Sequence, residues 1–237
     1  MTDLDLRVLP DAEAVADAAA DLLVRHAAEG HQIALSGGST PKRAYALAAG
    51  RLEDWSAARL WLGDERLVPP DDDRANARMV REQLLDRLAE EHRPAFEPVD
   101  TALDLDRAAN DYELRLRGAL RDGAALDLAL LGLGPDAHTA SLFPGKPEAL
   151  EAERWVVPVP EPGMDPRVPR VSMTLPVFNA AREVVFLVAG ADKAQAMARA
   201  FGDPPDPESP AAHGRPTAGR LVVLCDEAAA AGLSGRG

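Results

Sequence analysis

Four short segments carry residue types that can do chemistry, and each follows an apolar run typical of a strand. They are SGGSTP (36–41), GDER (63–66), GLGPDAHTASLFPG (132–145) and VAGADK (188–193). In an open parallel sheet, ligands bind beyond the carboxyl ends of the strands. The four segments are therefore expected to converge on one site.

The first segment is a glycine turn that leads into a helix. Gly37 and Gly38 permit a tight turn, Ser39 or Thr40 is expected to cap the helix, and Pro41 suits its first position. Free N–H groups and the helix dipole favour an anion there, which predicts a phosphate cradle. An ordinary strand-to-helix turn is the alternative, and the GKS or GKT ending of a Walker loop is absent.

The third segment contains the best candidate for a general base. His138 lies two residues after Asp136 and follows a glycine turn, and none of the other four histidines combines these features. Histidine exchanges protons near neutral pH, and a neighbouring carboxylate can orient its ring. The alternative is a loop histidine with a structural hydrogen bond.

Two of the segments offer cations for an anionic ligand. Arg66 can clamp a phosphate through two N–H groups, although DER alone is more typical of a surface ion-pair cluster. Lys193 begins a predicted helix, where the dipole disfavours a positive charge. A bound anion would explain a lysine at this position better, and a solvated surface lysine is the alternative.

Composition limits the classes of partner. The formal net charge of the 237 residues is -13, which disfavours nucleic acid and anionic membranes as partners. A small anionic substrate would need a local cationic pocket, and no obligate protein partner is implied. No apolar stretch approaches the roughly 20 residues of a membrane span.

Cysteine content and the N-terminus indicate a cytoplasmic protein. Cys225 is the single cysteine, so neither an intrachain disulfide nor a cysteine-based metal cage can form. The N-terminus is acidic and lacks the basic and apolar regions of a signal peptide. No cluster of His, Cys and carboxylate has metal-ligand spacing, so we expect neither a metal nor a cofactor.

Strand-like and helix-like segments alternate along the chain, which predicts an α/β fold with a mostly parallel sheet covered by helices on both faces. We expect a single domain over residues 1–237, with a loop at 202–217 and a frayed tail at 232–237. The predicted strands are 31–35, 59–62, 126–131, 154–159, 169–174, 184–188 and 221–224, and the predicted helices are 11–29, 41–49, 74–90, 104–121, 191–201 and 226–230.

The order and spacing of these motifs resemble those of the 6-phosphogluconolactonases. The resemblance includes RVSMTLPVFNAAREVVFLVAGADK and runs from about residue 7 to about residue 230. It implies a Rossmann-like sheet and hydrolysis of 6-phospho-D-glucono-1,5-lactone to 6-phosphogluconate, a step of the oxidative pentose phosphate pathway. The implied substrate is a small phosphorylated sugar lactone.

The resemblance also implies roles for individual residues. His138 matches the general base and Asp136 lies beside it; Arg66 and Lys193 match phosphate ligands, and the loop from Gly37 to Thr40 lines the pocket. Asp64 is expected near the sugar hydroxyls, and Arg170 is expected to reach the same pocket.

The chain departs from the family at two positions. Ala137 stands where the family has a glycine, and Ala75 stands where serine is common. Alanine tolerates positive φ poorly, so residue 137 should have an ordinary backbone or the turn should be reshaped.

Two alternative functions remain. One is a glucosamine-6-phosphate deaminase or isomerase, which the resemblance disfavours because the stretch SLFP lacks the glutamate of that family. The other is a non-catalytic sugar-phosphate-binding protein, which could have lost the histidine.

Overall fold

The computed structural model describes residues 4–121 and 123–233, and its main feature is a seven-stranded parallel sheet in the order β1-β10-β9-β6-β2-β3-β5. A second, antiparallel sheet has the order β4-β8-β7. The strands are β1 Leu4–Leu9, β2 Gln32–Leu35, β3 Arg59–Leu62, β4 Asp64–Arg66, β5 Ala95–Glu97, β6 Leu128–Gly132, β7 Val156–Val159, β8 Arg170–Met173, β9 Glu183–Val188 and β10 Arg220–Asp226.

The described residues form seven α-helices and several short 3-10 turns, of which all but the last helix and the turn after it precede the last strand. The helices are α1 Ala12–Ala28, α2 Ser39–Ala49, α3 Asn76–Gln83, α4 Leu105–Ala119, α5 Leu175–Ala180, α6 Ala194–Phe201 and α7 Glu227–Ala230. Asp11 caps α1, since its carboxylate accepts the N–H of Ala14 at 2.8 Å.

Alternate residues of the central strands pack into two separate apolar clusters. Ile33 and Leu35 of β2 face the cluster that contains α1 and α2, whereas Ala34 faces the cluster that contains α4 and α6. Because side chains alternate along a strand, this division places helices on both faces of the sheet. The predicted α/β architecture is confirmed.

The central pair of strands marks a topological switch point. From β2 the chain continues outward through β3 to β5, then returns to β6 on the other side of β2 and continues through β9 and β10. Connections therefore leave β2 and β6 in opposite directions, and a crevice opens beyond their carboxyl ends. The glycine turn follows β2, and the histidine loop follows β6.

Several local predictions were wrong. The helix predicted over 74–90 ends at Gln83, because Leu84 leaves helical geometry with φ -125° and ψ -64°, and 3-10 turns follow at Leu85–Arg87 and Glu90–His92. GDER, expected as a loop after a strand, contains β4. Strands β1 and β5 and helix α5 were not predicted.

Two predicted irregular segments are seen in part. The predicted loop at 202–217 contains one 3-10 turn, Pro210–His213. Of the predicted frayed tail, Gly232 and Leu233 belong to a 3-10 turn, Ala231–Leu233, and residues 234–237 lie outside the described part of the chain. Within the described residues, no helix has both the length and the apolar character to cross a membrane.

Candidate active site

A cleft of about 220 Å³ lies at the switch point and brings together seven of the ten residues that the sequence singled out. These seven are Gly37, Gly38, Asp64, Arg66, His138, Arg170 and Lys193; the rest of the lining is Ser36, Gly132, Leu133, Gly134, Pro135, Ala140 and Met164. Asp136 contacts His138 from outside this lining. Ser39 lines a neighbouring depression together with Lys42, and Thr40 lines neither.

His138 and Asp136 form a close pair. The distance from His138 Nδ1 to Asp136 Oδ1 is 2.5 Å, and the same oxygen accepts the backbone N–H of His138 at 3.1 Å. Burial raises the pKa of Asp136, but the hydrogen bond from His138 and its charge outweigh burial and hold this pKa below its usual range. An ionised Asp136 accepts the Nδ1 proton, so Nε2 is the basic nitrogen of the neutral ring.

The loop that carries this pair has an unusual backbone. Ala137 has φ 67° and is fully buried, so it adopts a left-handed conformation in spite of its side chain, and the expectation of an ordinary backbone at this position was wrong. Gly134 is required by close approach, because a Cβ there would clash with the ring of His138. The ring also lies 4.5 Å from the ring of Phe143, measured between centroids.

Two arginines lie in the cleft with unused donors. Arg170 is 3% exposed and donates to the carbonyls of Met164 and Pro166 at 3.2 and 3.1 Å. Arg66 donates from Nη1 to the carbonyl of Arg74 at 2.7 Å. Both Nε groups are buried and have no hydrogen-bond partner within the described residues. A ligand with acceptor oxygens would satisfy them.

The cleft has a cationic side, formed by Arg66, Arg170 and Lys193, and burial changes the pKa of one of these groups. Burial lowers the pKa of Arg170, and the negative charge of Asp64 opposes this effect. Lys193 lies at the start of α6, with Nζ 3.6 Å from Asp192 Oδ2. An arginine remains protonated at neutral pH even when its pKa falls, so the cleft keeps a local positive charge in an acidic chain.

Asp64 is buried and held by two polar side chains. Its Oδ2 accepts the hydroxyl of Ser141 at 2.6 Å, and its backbone carbonyl accepts Nδ2 of Asn76 at 2.9 Å. Arg170 Nη1 also donates to the Ser141 hydroxyl, at 3.4 Å. Ser141 was missed from sequence, because the contact joins segments that are far apart in the chain.

Glu65 was also missed, and it joins β4 to α3. Its carboxylate accepts three backbone N–H groups, those of Arg66 at 2.7 Å, Asn76 at 2.8 Å and Ala77 at 2.7 Å. The residue is 1% exposed, and burial raises its pKa to about 7 although the three N–H groups oppose the shift. The acids of GDER are therefore buried and do not form the surface ion pairs typical of such a pattern.

The prediction that Ser39 or Thr40 caps α2 was wrong. Gly38 is the N-cap with φ 110°, and no side chain accepts from the first turn. Pro41 consequently occupies the third helical position. The first N–H groups of α2 lack intrahelical acceptors, as at any helix start, so they are free to donate to a ligand.

No set of metal ligands is present among the described residues, since no three or more His, Cys, Asp or Glu side chains are placed to hold an ion.

Comparison with known proteins identifies similar chains. The family model described as glucosamine-6-phosphate isomerases/6-phosphogluconolactonase matches residues 10–223. A 6-phosphogluconolactonase of Synechocystis sp. is 38% identical over 205 residues, 85% of this chain and 84% of that protein. The 6-phosphogluconolactonase of Mycobacterium tuberculosis is 37% identical over 244 residues, 96% of this chain and 98% of that protein.

Solved structures agree with the sequence matches. The 6-phosphogluconolactonase from Trypanosoma cruzi has a TM-score of 0.86 and 30% identity, covering 99% of this chain and 98% of its own. A monomeric glucosamine-6-phosphate deaminase has a TM-score of 0.76 and 19% identity, covering 95% of this chain and 98% of its own, and shares the fold.

Proposed function

The chain belongs to the glucosamine-6-phosphate isomerase/6-phosphogluconolactonase family, and we propose that it hydrolyses 6-phospho-D-glucono-1,5-lactone to 6-phosphogluconate, the lactonase step of the oxidative pentose phosphate pathway. One observation carries the proposal. His138, which is paired with Asp136, lines the same cleft as two arginines with unsatisfied Nε–H groups. A general base and an anion site therefore lie within reach of one small substrate.

In the proposed reaction the phosphate binds the cationic side. Arg66 and Lys193 contact its oxygens, and the Gly37–Gly38 turn lines the same cleft. Arg170, also in the lining, offers its free Nε–H to the same ligand. The sugar part of the substrate lies between the bound phosphate and His138, and its hydroxyls lie near Asp64.

The chemistry is ester hydrolysis by water. Nε2 of neutral His138 removes a proton from water as its oxygen bonds to the lactone carbonyl carbon, and the carbonyl oxygen takes up negative charge. When the tetrahedral intermediate collapses, the bond to the ring oxygen breaks, and protonated His138 returns the proton to that oxygen. Asp136 stabilises the charged ring throughout.

The test is to supply freshly made 6-phosphogluconolactone and measure acid release against the spontaneous background. Release at the background rate by the folded protein would overturn the proposal. The alternative deaminase function is disfavoured, because the stretch SLFP (141–144) lacks the glutamate that the resemblance leads us to expect in a deaminase. Glucosamine-6-phosphate supplied in the same assay should therefore yield no ammonia.

We further propose that the protein acts in the cytoplasm without a nucleic-acid, membrane or obligate protein partner. The net charge of -13 and the single cysteine support this proposal.

A further inference from the structure

The loop that carries Asp136, Ala137 and His138, which we call the catalytic loop, is held by hydrogen bonds from a second segment, residues 199–211. The carbonyl of Asp136 accepts Nη1 of Arg199 at 2.9 Å. The carbonyl of Ala137 accepts the N–H of Ala211 and the hydroxyl of Ser209, both at 3.2 Å. The carbonyls of Asp136 and of Ala137, one on each side of the Ala137 Cα, are thus fixed by three donors from residues 199–211.

Arg199 is itself fixed in place. Its Nε donates to Asp206 Oδ2 at 2.8 Å, and its backbone carbonyl accepts the N–H of Asp206 at 2.7 Å. The N–H of Ser209 in turn donates to the carbonyl of Asp206 at 3.0 Å. A continuous series of hydrogen bonds therefore runs from α6 through the loop at 202–217 to the catalytic loop.

The orientation of the peptide groups at 136 and 137 decides where the Asp136 carboxylate lies. That carboxylate contacts both the backbone N–H and Nδ1 of His138, so a rotation at Ala137 would move the acid and the base relative to each other. Alanine does not favour φ 67° by itself. The external donors therefore add to the hydrogen bonds within the loop, which join Ala137 N–H to the carbonyl of Gly134 and Gly134 N–H to the carbonyl of His138, both at 2.9 Å.

We propose that Arg199, oriented by Asp206, is a positioning residue that keeps the Asp136–His138 pair in its productive geometry. The inference rests on the proposed function, in which His138 is the general base. Arg199 is absent from the lining of the cleft and acts through the loop. Small displacements of a catalytic group have large effects on rate, and binding of the phosphate on the opposite side should be little affected.

The first test is Arg199→Met, which keeps the length of the side chain and removes its donors. We expect kcat to fall about tenfold or more with KM nearly unchanged. Arg199→Lys, which keeps the charge but has a single donor nitrogen in place of the separate Nε and Nη1 donors, should recover part of kcat. Asp206→Asn removes the carboxylate that orients Arg199 and should lower kcat less than Arg199→Met does.

The second test combines Arg199→Met with His138→Ala. A residue that acts through His138 has no further effect once that side chain is gone, so residual turnover should equal that of His138→Ala alone. A purely structural residue would lower turnover by the same factor in both backgrounds.

Arg51→Met is a matched control. The side chain of Arg51 is 29% exposed, near the 31% of the Arg199 side chain, and it lies outside the cleft lining. It likewise donates to a carbonyl and a carboxylate, both of Asp17, and it donates in addition to the carboxylate of Asp21 at 2.7 Å. It should lower the melting temperature by a similar amount and leave kcat unchanged.

Three results would overturn the inference. They are an unchanged kcat in folded Arg199→Met, an equal fall in Arg51→Met, or a further equal loss in the double variant. If His138→Ala alone kept full turnover, the general base of the proposed function would fail first, and no pair would remain for Arg199 to position.

Discussion

The two sides of the cleft hold their functional groups by different means. Asp64 and Arg66 lie on β4, whose pairing with β8 fixes the backbone, and the buried carboxylate of Glu65 ties this strand to α3. His138 and Asp136 lie on an irregular loop that contains two alanines with positive φ and is held by two side chains and one backbone N–H from residues 199–211. Regular structure thus supports the proposed binding side, and individual hydrogen bonds support the proposed catalytic side. Substitutions should separate the two sides, with binding lost on the first and turnover on the second.

His138→Ala should have the largest effect. We expect kcat to fall by about 10² to 10⁴, since that is the usual contribution of general-base catalysis, while KM changes little. Stopped-flow assay of acid release with fresh lactone measures this. His92→Ala, at a histidine outside the cleft lining, is the control. Wild-type turnover in the folded His138 variant would remove this residue from the mechanism.

Arg66→Ala and Lys193→Ala should each lower kcat/KM for the phosphorylated lactone about tenfold to a hundredfold, because each removes a charge-assisted hydrogen bond to phosphate. Arg66→Lys should also be impaired, since an ammonium cannot replace a bidentate guanidinium. Plain gluconolactone is the decisive control and should be hydrolysed with little change.

Lys42→Ala is the matched cation control for this pair, because Lys42 is exposed and lines only the neighbouring depression. Equal losses on both lactones would assign Arg66 and Lys193 to the chemistry or the fold, and the phosphate site would lie elsewhere.

Glu65→Gln should lower stability in a pH-dependent way. The amide places an N–H donor against a backbone N–H, and a lost buried hydrogen bond costs about 1–3 kcal/mol. Burial raises the pKa of Glu65 to about 7 in the folded protein, above its value in the unfolded chain. The native carboxyl therefore adds to the free energy of unfolding at pH values below its unfolded pKa. This contribution is lost as the pH rises through about 7.

The deficit of the Gln variant should therefore be largest near pH 5 and shrink toward pH 8. Urea unfolding of both proteins across this range measures it. A deficit that grows with pH would show that the carboxylate is stabilised by its three N–H donors more than burial destabilises it.

Ala137→Gly should have a small effect on stability. Relief of the left-handed alanine favours the variant by about 1–2 kcal/mol. Loss of a buried methyl, about 0.8 kcal/mol, and greater freedom of the unfolded chain, about 0.4–1 kcal/mol, oppose it. The net change should stay within about 1 kcal/mol with kcat unchanged, by denaturant unfolding and assay. A large fall in kcat would mean that the methyl group itself positions His138.

Chelation should have no effect on turnover. The expectation comes from the absence of metal-ligand spacing in the sequence, and dialysis against a strong chelator before assay tests it. Activity that is lost and then restored by a divalent ion would contradict it.

The sequence predicts the convergence of the site well, because parallel strands end at one edge and each motif follows a strand. The contact between Asp136 and His138 also follows from their spacing of two residues. The support of the site is not predictable in this way, because Ser141, Glu65 and Arg199 act on residues distant in the chain. Glu65 had one local signal: in a strand, alternation places Asp64 and Arg66 on one face and the residue between them on the other. Reading GDER as a loop concealed it.

The position of the cleft between β2 and β6 has a consequence for how activity arises during folding. Ile33 pairs with Leu128, so the glycine turn and the histidine loop meet only after a long stretch of chain has been enclosed between them. Such non-local pairing forms slowly. Neither the segment up to β5 nor the segment from β6 onward contains all the residues of the proposed site, so we expect a nascent or fragmented chain to be inactive. Recovery of lactone hydrolysis during refolding therefore reports the joining of the two halves of the sheet.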